Sequence, residues 1–136
     1  MSKKIRETRS NPGEIWEDLI VSILAVNQYS LEKTYALLPL LRRAEVLDPE
    51  MLCNLQPEEV VERLKTNGVD RGSFMTLLFA MRLVSLGVAL HSKGIASCVE
   101  VILSNDPEEI RNLLLPVNGI GPKVIGNFLL LRGIKD

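Results

Sequence analysis

The chain has 136 residues, the length of one domain, and 46% of them are hydrophobic while only 4% are aromatic. An aliphatic core without sustained polar and apolar alternation predicts an all-α fold. The 16 lysines and arginines nearly balance the 17 aspartates and glutamates. This balance excludes a global positive field, so any binding of a polyanion has to be local.

Residues able to bind a metal or cofactor are few and scattered. Cys53 and Cys98 lack CxxC spacing and lie among apolar residues, so we expect two reduced core thiols. His91 is the single histidine and is expected on a surface loop, and we predict no metal and no cofactor. The polar start, and the lack of an apolar run near the roughly 18 residues of a bilayer span, predict an intracellular protein of the cytoplasm, nucleoid or nucleus, with no membrane contact.

The segments in chain order predict a small helical protein. Residues 1–10 are basic, and we interpret them either as a frayed terminus or as an arm that contacts DNA. Residues 11–136 are expected to form a single domain, an orthogonal bundle of seven or eight short helices with a C-terminal helix-hairpin-helix. The predicted helices cover about residues 14–26, 31–44, 49–55, 57–66, 71–86, 95–103, 107–115 and 122–132.

Two residues are expected to interrupt these helices. Pro39 should bend the second helix, and Gly87 should end the fifth before a loop. Four aromatic side chains on apolar helical faces are expected in the core rather than as platforms for bases: Trp16, Phe74, Phe79 and Phe128.

Residues 117–123, Val-Asn-Gly-Ile-Gly-Pro-Lys, are the one segment whose order indicates chemistry beyond packing. Ile120, between the glycines, is expected to point inward and fix the turn against both flanking helices. Pro122 supplies the backbone angle suited to the first position of the next helix. The free N–H groups at that helix start would then face outward.

The turn is interpreted as a phosphate site. Gly119 and Gly121 leave no side chain to hold a phosphate away from the backbone, and Asn118 and Lys123 flank them. A positive charge on Lys123 opposes the helix dipole, which makes more sense beside an anion than beside water. The alternative is that the two glycines only form a tight interhelical turn.

The hairpin resembles that of the endonuclease III and 8-oxoguanine DNA glycosylase superfamily. Residues 20–30, Ile-Val-Ser-Ile-Leu-Ala-Val-Asn-Gln-Tyr-Ser, are similar to the family's early helix ending in a polar element, and the resemblance covers about residues 14–135. It implies the family's six-helix DNA-binding subdomain and a role in base excision repair. The implied partner is double-stranded DNA, damaged or abasic, bound by a monomer.

The resemblance also implies site residues. Asn27 and Gln28 would enter the DNA near the extruded nucleotide, although they would also serve as caps of the first helix. Lys123 falls on the nucleophile of the lyase members, and the alternative is that it only contacts phosphate. The family's Val-Asp element is not found, and Asp136 does not match it. We therefore expect a glycosylase-like or abasic-site lyase-like DNA-binding domain that is incomplete for catalysis.

Two alternatives and one further contact stay open. The chain would also fit a non-catalytic module that binds the duplex backbone, or a helical protein-interaction domain in which the hairpin is structural. Arg71, beside Gly72 at a helix start, is a candidate for a second phosphate contact.

Overall fold

A computed structural model describes residues 12–25 and 29–135. This part of the chain contains helices and turns and no strand, which confirms the all-α prediction. The helices are α1 Pro12–Leu24, α2 Leu31–Tyr35, α3 Leu38–Ala44, α4 Pro49–Leu52, α5 Pro57–Thr66, α6 Ser73–Lys93, α7 Ile95–Leu103, α8 Pro107–Leu114 and α9 Pro122–Arg132.

Helix starts agree well with the predictions because they depend on local capping. Ser30 accepts a hydrogen bond from the Lys33 N–H at the start of α2, and Asp48 and Asp106 accept the equivalent bonds for α4 and α8. Between Tyr35 and Leu38 the structure has a break where one helix was predicted, so the described residues hold nine helices rather than seven or eight. Pro39 lies in the first turn of α3, where its missing N–H costs nothing, and therefore does not bend a longer helix.

Gly87 does not end a helix, contrary to the prediction. Helix α6 continues to Lys93, so His91 lies on an exposed helical turn and not on a loop. A Cβ atom on Gly87 would lie 2.8 Å from the Pro49 carbonyl oxygen and 2.8 Å from the Cys53 nitrogen. The glycine is therefore required for the close approach of α4 to α6.

Helix α6 lies at the centre of the fold. It packs against α1, α4, α5 and α7. By length and composition alone it could cross a membrane, and 39% of its most apolar stretch is buried inside the protein. The predicted helix, about residues 71–86, is shorter than the helix that forms, so the sequence did not show this length.

The core joins both ends of the described chain. Trp16 of α1, Phe79 of α6 and Phe128 of α9 are buried as predicted, whereas Phe74 is 76% exposed and does not belong to the core. Cys98 is also buried, and this burial raises the pKa of its thiol, while Cys53 is half-buried.

A buried ion pair holds the first helix to the last. Arg132 of α9 donates a hydrogen bond from a terminal guanidinium nitrogen (Nη1) to Oδ2 of Asp18 in α1 at 3.1 Å. Both side chains are almost completely excluded from solvent, at 4% and 0% exposure. Removing water from two charges is costly, so such a pair stabilises the fold only while both partners are present.

Replacing one partner of this pair should therefore destabilise the protein strongly. We expect Asp18→Asn to lower the free energy of unfolding by about 3–5 kcal/mol, because Arg132 would remain buried opposite a neutral amide. The double variant Asp18→Leu, Arg132→Met should recover most of this loss, since neither charge remains. Urea unfolding followed by circular dichroism measures both. A double variant as unstable as Asp18→Asn would contradict the interpretation.

Replacing two helical glycines by alanine should change the stability of the protein in opposite directions. Gly87→Ala should cost about 1–3 kcal/mol, because the added methyl overlaps the backbone of α4. Gly126→Ala in α9 is the matched control: no atom lies within 4 Å of the new Cβ, and alanine should stabilise the helix by about 0.5–1 kcal/mol. Thermal or urea unfolding measures the difference. Equal shifts of the same sign would show that the α4 contact does not restrict position 87.

Candidate nucleic-acid interface

Residues 115–121 connect α8 to α9, and we call them the glycine turn. The Val117 N–H donates to the Leu114 carbonyl at 2.9 Å, and the Ile120 N–H donates to the Val117 carbonyl at 3.1 Å. The side chains of Val117 and Ile120 are buried, at 4% and 6% exposure. The inward position predicted for Ile120 is therefore confirmed, and the turn is fixed to the core at two points.

Gly119 is required at its position for two reasons. Its φ of +94° lies in the region that favours glycine. In addition, a Cβ atom here would lie 2.8 Å from Cγ and 3.2 Å from Cδ of Arg82. The aliphatic part of the Arg82 side chain thus lies directly against Gly119.

Gly121 has a different role. Its backbone is extended, with φ −116° and ψ −173°, a conformation that any residue adopts. A Cβ atom on Gly121 would meet no atom within 4 Å. Neither strain nor packing therefore explains this glycine, and its effect is to leave the start of α9 open to a ligand.

The start of α9 presents hydrogen-bond donors. Pro122 has no N–H, and within the described residues the N–H groups of Gly121, Lys123 and Val124 donate no hydrogen bond. The first N–H groups of a helix together with its dipole attract anions, phosphate in particular. The Lys123 side chain is exposed beside them. This end of the helix can therefore hold a phosphate oxygen directly on the backbone.

The local charge is positive although the chain as a whole has a net charge of −1. Residues 110–135 include no aspartate and no glutamate. Of their basic residues, Arg132 is buried against Asp18, while Arg111, Lys123 and Lys135 lie outside that pair. Arg82 adds a positive charge from α6, and it makes no ion pair with the described part of the chain. An anion approaching the glycine turn would meet cations and unused N–H groups without a nearby carboxylate in this segment.

The sequence analysis did not identify Arg82 as a site residue, although one feature of the sequence indicates it. Between Ser73 and Leu90 it is the only charged residue of an otherwise apolar stretch. A lone arginine in such a stretch indicates either a buried ion pair or a cation directed to a ligand. Only the fold shows that Arg82 reaches Gly119, because the two residues are far apart in sequence.

Arg71 lies elsewhere, at the end of α1. Its guanidinium donates to the Leu24 carbonyl at 2.8 Å and lies 3.6 Å from the centre of the Tyr29 ring. Desolvation by burial lowers the pKa of Arg71. This side chain satisfies a carbonyl at the C-terminal end of a helix, an arrangement that the sequence did not indicate. Its contact with DNA stays a prediction.

The structure describes some of the other predicted site residues and not others. Asn118 is exposed in the glycine turn, adjacent to Gly119. Asn27, Gln28 and the basic residues 1–10 lie outside the described residues. His91 lies 3.0 Å from the Glu50 carboxylate through Nδ1, with both side chains exposed. The described residues include no cluster of three or more histidine, cysteine or acidic side chains placed to hold a metal.

Comparison of the chain with protein-family models, with curated proteins and with solved structures gave no match. The glycine turn and the residues around it are therefore the basis on which a function can be proposed.

The contact between Arg82 and Gly119 should appear as an energetic coupling. Gly119→Ala should destabilise the protein by about 2–3 kcal/mol, from the positive φ and the overlap with Arg82 together. In an Arg82→Ala background only the backbone part, about 1–2 kcal/mol, should remain. Gly121→Ala, which has neither problem, is the control and should cost little. Urea unfolding of the four variants in a double-mutant cycle tests this, and additive effects would exclude the contact.

Proposed function

We propose that α8, the glycine turn and α9 form a helix-hairpin-helix that binds double-stranded DNA through its sugar-phosphate backbone. The observation that carries this proposal is the open start of α9, where three N–H groups have no partner among the described residues and Gly121 has no side chain to cover them. Such groups bind a phosphate oxygen without any rearrangement of the protein.

Two cations strengthen this phosphate site in different ways. Lys123 is flexible and exposed in the first turn of α9, so it contributes a point charge that can follow the phosphate. The Arg82 stem is held against Gly119, and we infer that its guanidinium reaches the same phosphate from α6. The Arg82 guanidinium can donate two parallel hydrogen bonds to one phosphate group.

The proposed binding is independent of base sequence. Contacts to phosphates position a protein on the duplex, whereas base edges in the grooves carry the sequence information. The backbone N–H groups at the start of α9 bind phosphate oxygens, which are the same for every base. A protein of this kind binds many DNA sequences with similar, modest affinity.

The relation to base excision repair is part of the same proposal and depends on the resemblance to the glycosylase superfamily. In that interpretation the glycine turn anchors the duplex, while Asn27 and Gln28 would act at the extruded nucleotide. Lys123 would then be both a phosphate contact and the candidate nucleophile of an abasic-site lyase. The anchoring role does not require the chemistry.

DNA binding should be weak, salt-dependent and local to the turn. In anisotropy titrations of a labelled duplex, the logarithm of the association constant should fall with the logarithm of salt at a slope of about 0.9 per neutralised phosphate. Lys123→Gln should reduce affinity by about tenfold and the slope by about one. Lys65→Gln, the same charge change on the exposed face of α5, is the matched control and should leave both nearly unchanged.

Two outcomes of these titrations would contradict DNA binding at the glycine turn. No binding at low salt, or equal losses in the Lys123 and Lys65 variants, would remove the turn as a DNA site. A duplex with one abasic site, titrated alongside the intact duplex, tests the relation to repair separately. Tighter binding to the abasic duplex supports it, and equal binding of the two duplexes leaves a module for intact DNA.

A further inference from the structure

One face of α6 is apolar and not covered by the rest of the described protein. Phe74, which was predicted in the core, is 76% exposed, Met81 is 49% exposed, Val88 is 51% exposed, and Leu77 is 39% exposed. Single exposed apolar side chains are common on protein surfaces, whereas a continuous set on one helix indicates an interaction surface. We call these four residues the α6 stripe.

The spacing of the α6 stripe is that of a helix-pairing seam. Its members are separated by three, four and seven residues, and the half-buried Val84 fills the remaining position of the pattern. Spacings of three and four residues place these side chains on one face of the helix. From Phe74 to Val88 the stripe is about 21 Å long at 1.5 Å per residue. The surface is therefore shaped to receive a helix of similar length.

We propose that the occupant is α6 of a second copy of this chain, packed antiparallel about a twofold axis at Met81. Phe74 and Val88 each lie seven positions from Met81, so the two ends of the stripe meet in such a pair, while Leu77 faces the small Ser85 of the other copy. Antiparallel pairing places the large Phe74 ring against the small Val88 of the other copy, and Met81 against its own counterpart. A closed symmetric pair of this kind uses the same surface on both molecules.

The charges at the two ends of α6 favour the antiparallel direction. Asp70, exposed just before the helix, is acidic, while the last turn has His91 and the exposed Lys93. In an antiparallel pair Asp70 of one copy lies beside Lys93 of the other at both ends of the seam. A parallel pair would instead bring the two Lys93 side chains together, and the helix dipoles would oppose it. This proposal replaces the expectation of a monomer and does not depend on DNA binding.

The first test is the mass in solution. Sedimentation equilibrium of the full chain from micromolar to millimolar concentration should show a monomer–dimer equilibrium. Met81→Glu should raise the dissociation constant by at least about a hundredfold, because two unpaired carboxylates would meet at the axis. Leu103→Glu, on an exposed residue of α7 outside the stripe, is the control and should leave it unchanged. A monomer throughout the range would overturn the proposal.

The second test determines the direction of pairing. In a Cys53→Ser background, Met81→Cys should form an intermolecular disulfide under mild oxidation, because the two residues meet at the axis. Phe74→Cys should not, since the antiparallel arrangement holds the two positions about 20 Å apart. Circular dichroism of each variant establishes that it is folded. Efficient crosslinking through position 74 would contradict the antiparallel arrangement, and no crosslink at position 81 would contradict the seam.

Discussion

The close approach of α4 to α6 is the constraint on which the remaining structure depends. It is possible only because Gly87 has no side chain, so that the backbone of Pro49 and Cys53 can lie against the helix. With α4 in this position, α6 passes through the centre of the fold and packs against α1, α5 and α7. The position of α6 also sets where Arg82 reaches the glycine turn. The packing of one short helix is thereby connected to the geometry of the candidate site.

Much of the fold could be predicted from the sequence because short-range chemistry determines where these helices begin. Ser30, Asp48 and Asp106 cap helices through hydrogen bonds to residues two or three positions later, and proline follows two of them directly. Local rules failed where tertiary packing decided the outcome. Gly87 looks like a stop signal, but the contact with α4 stabilises the helix through it. Phe74 looks like a core residue because composition does not show which helical face will be covered.

The conformation of the glycine turn could be predicted from the sequence, but the side chains that reach it from other helices could not. The order of residues in the glycine turn was sufficient to place Ile120 inward and Pro122 at a helix start. The contact of Arg82 with Gly119 could not be predicted from the sequence, since it depends on how α6 crosses the turn. Arg71 shows the reverse case, in which a cation at a helix start was interpreted from its neighbours although its side chain reaches back to Leu24 of α1. Sequence order determines turns, whereas long side chains are directed by the fold.

The ion pair between Asp18 and Arg132 has a consequence for the order of folding. Its partners are 114 positions apart, so the chain must be synthesised up to Arg132 before the pair can form. Contacts among α4, α5, α6 and α7 have much shorter separations, and loop closure favours them first. On the ribosome, α1 emerges early with an apolar surface that its eventual partner α9 cannot yet cover. The side of α1 that faces α9 therefore stays uncovered until Arg132 has been synthesised, and apolar surface exposed at this stage is the kind that chaperones recognise.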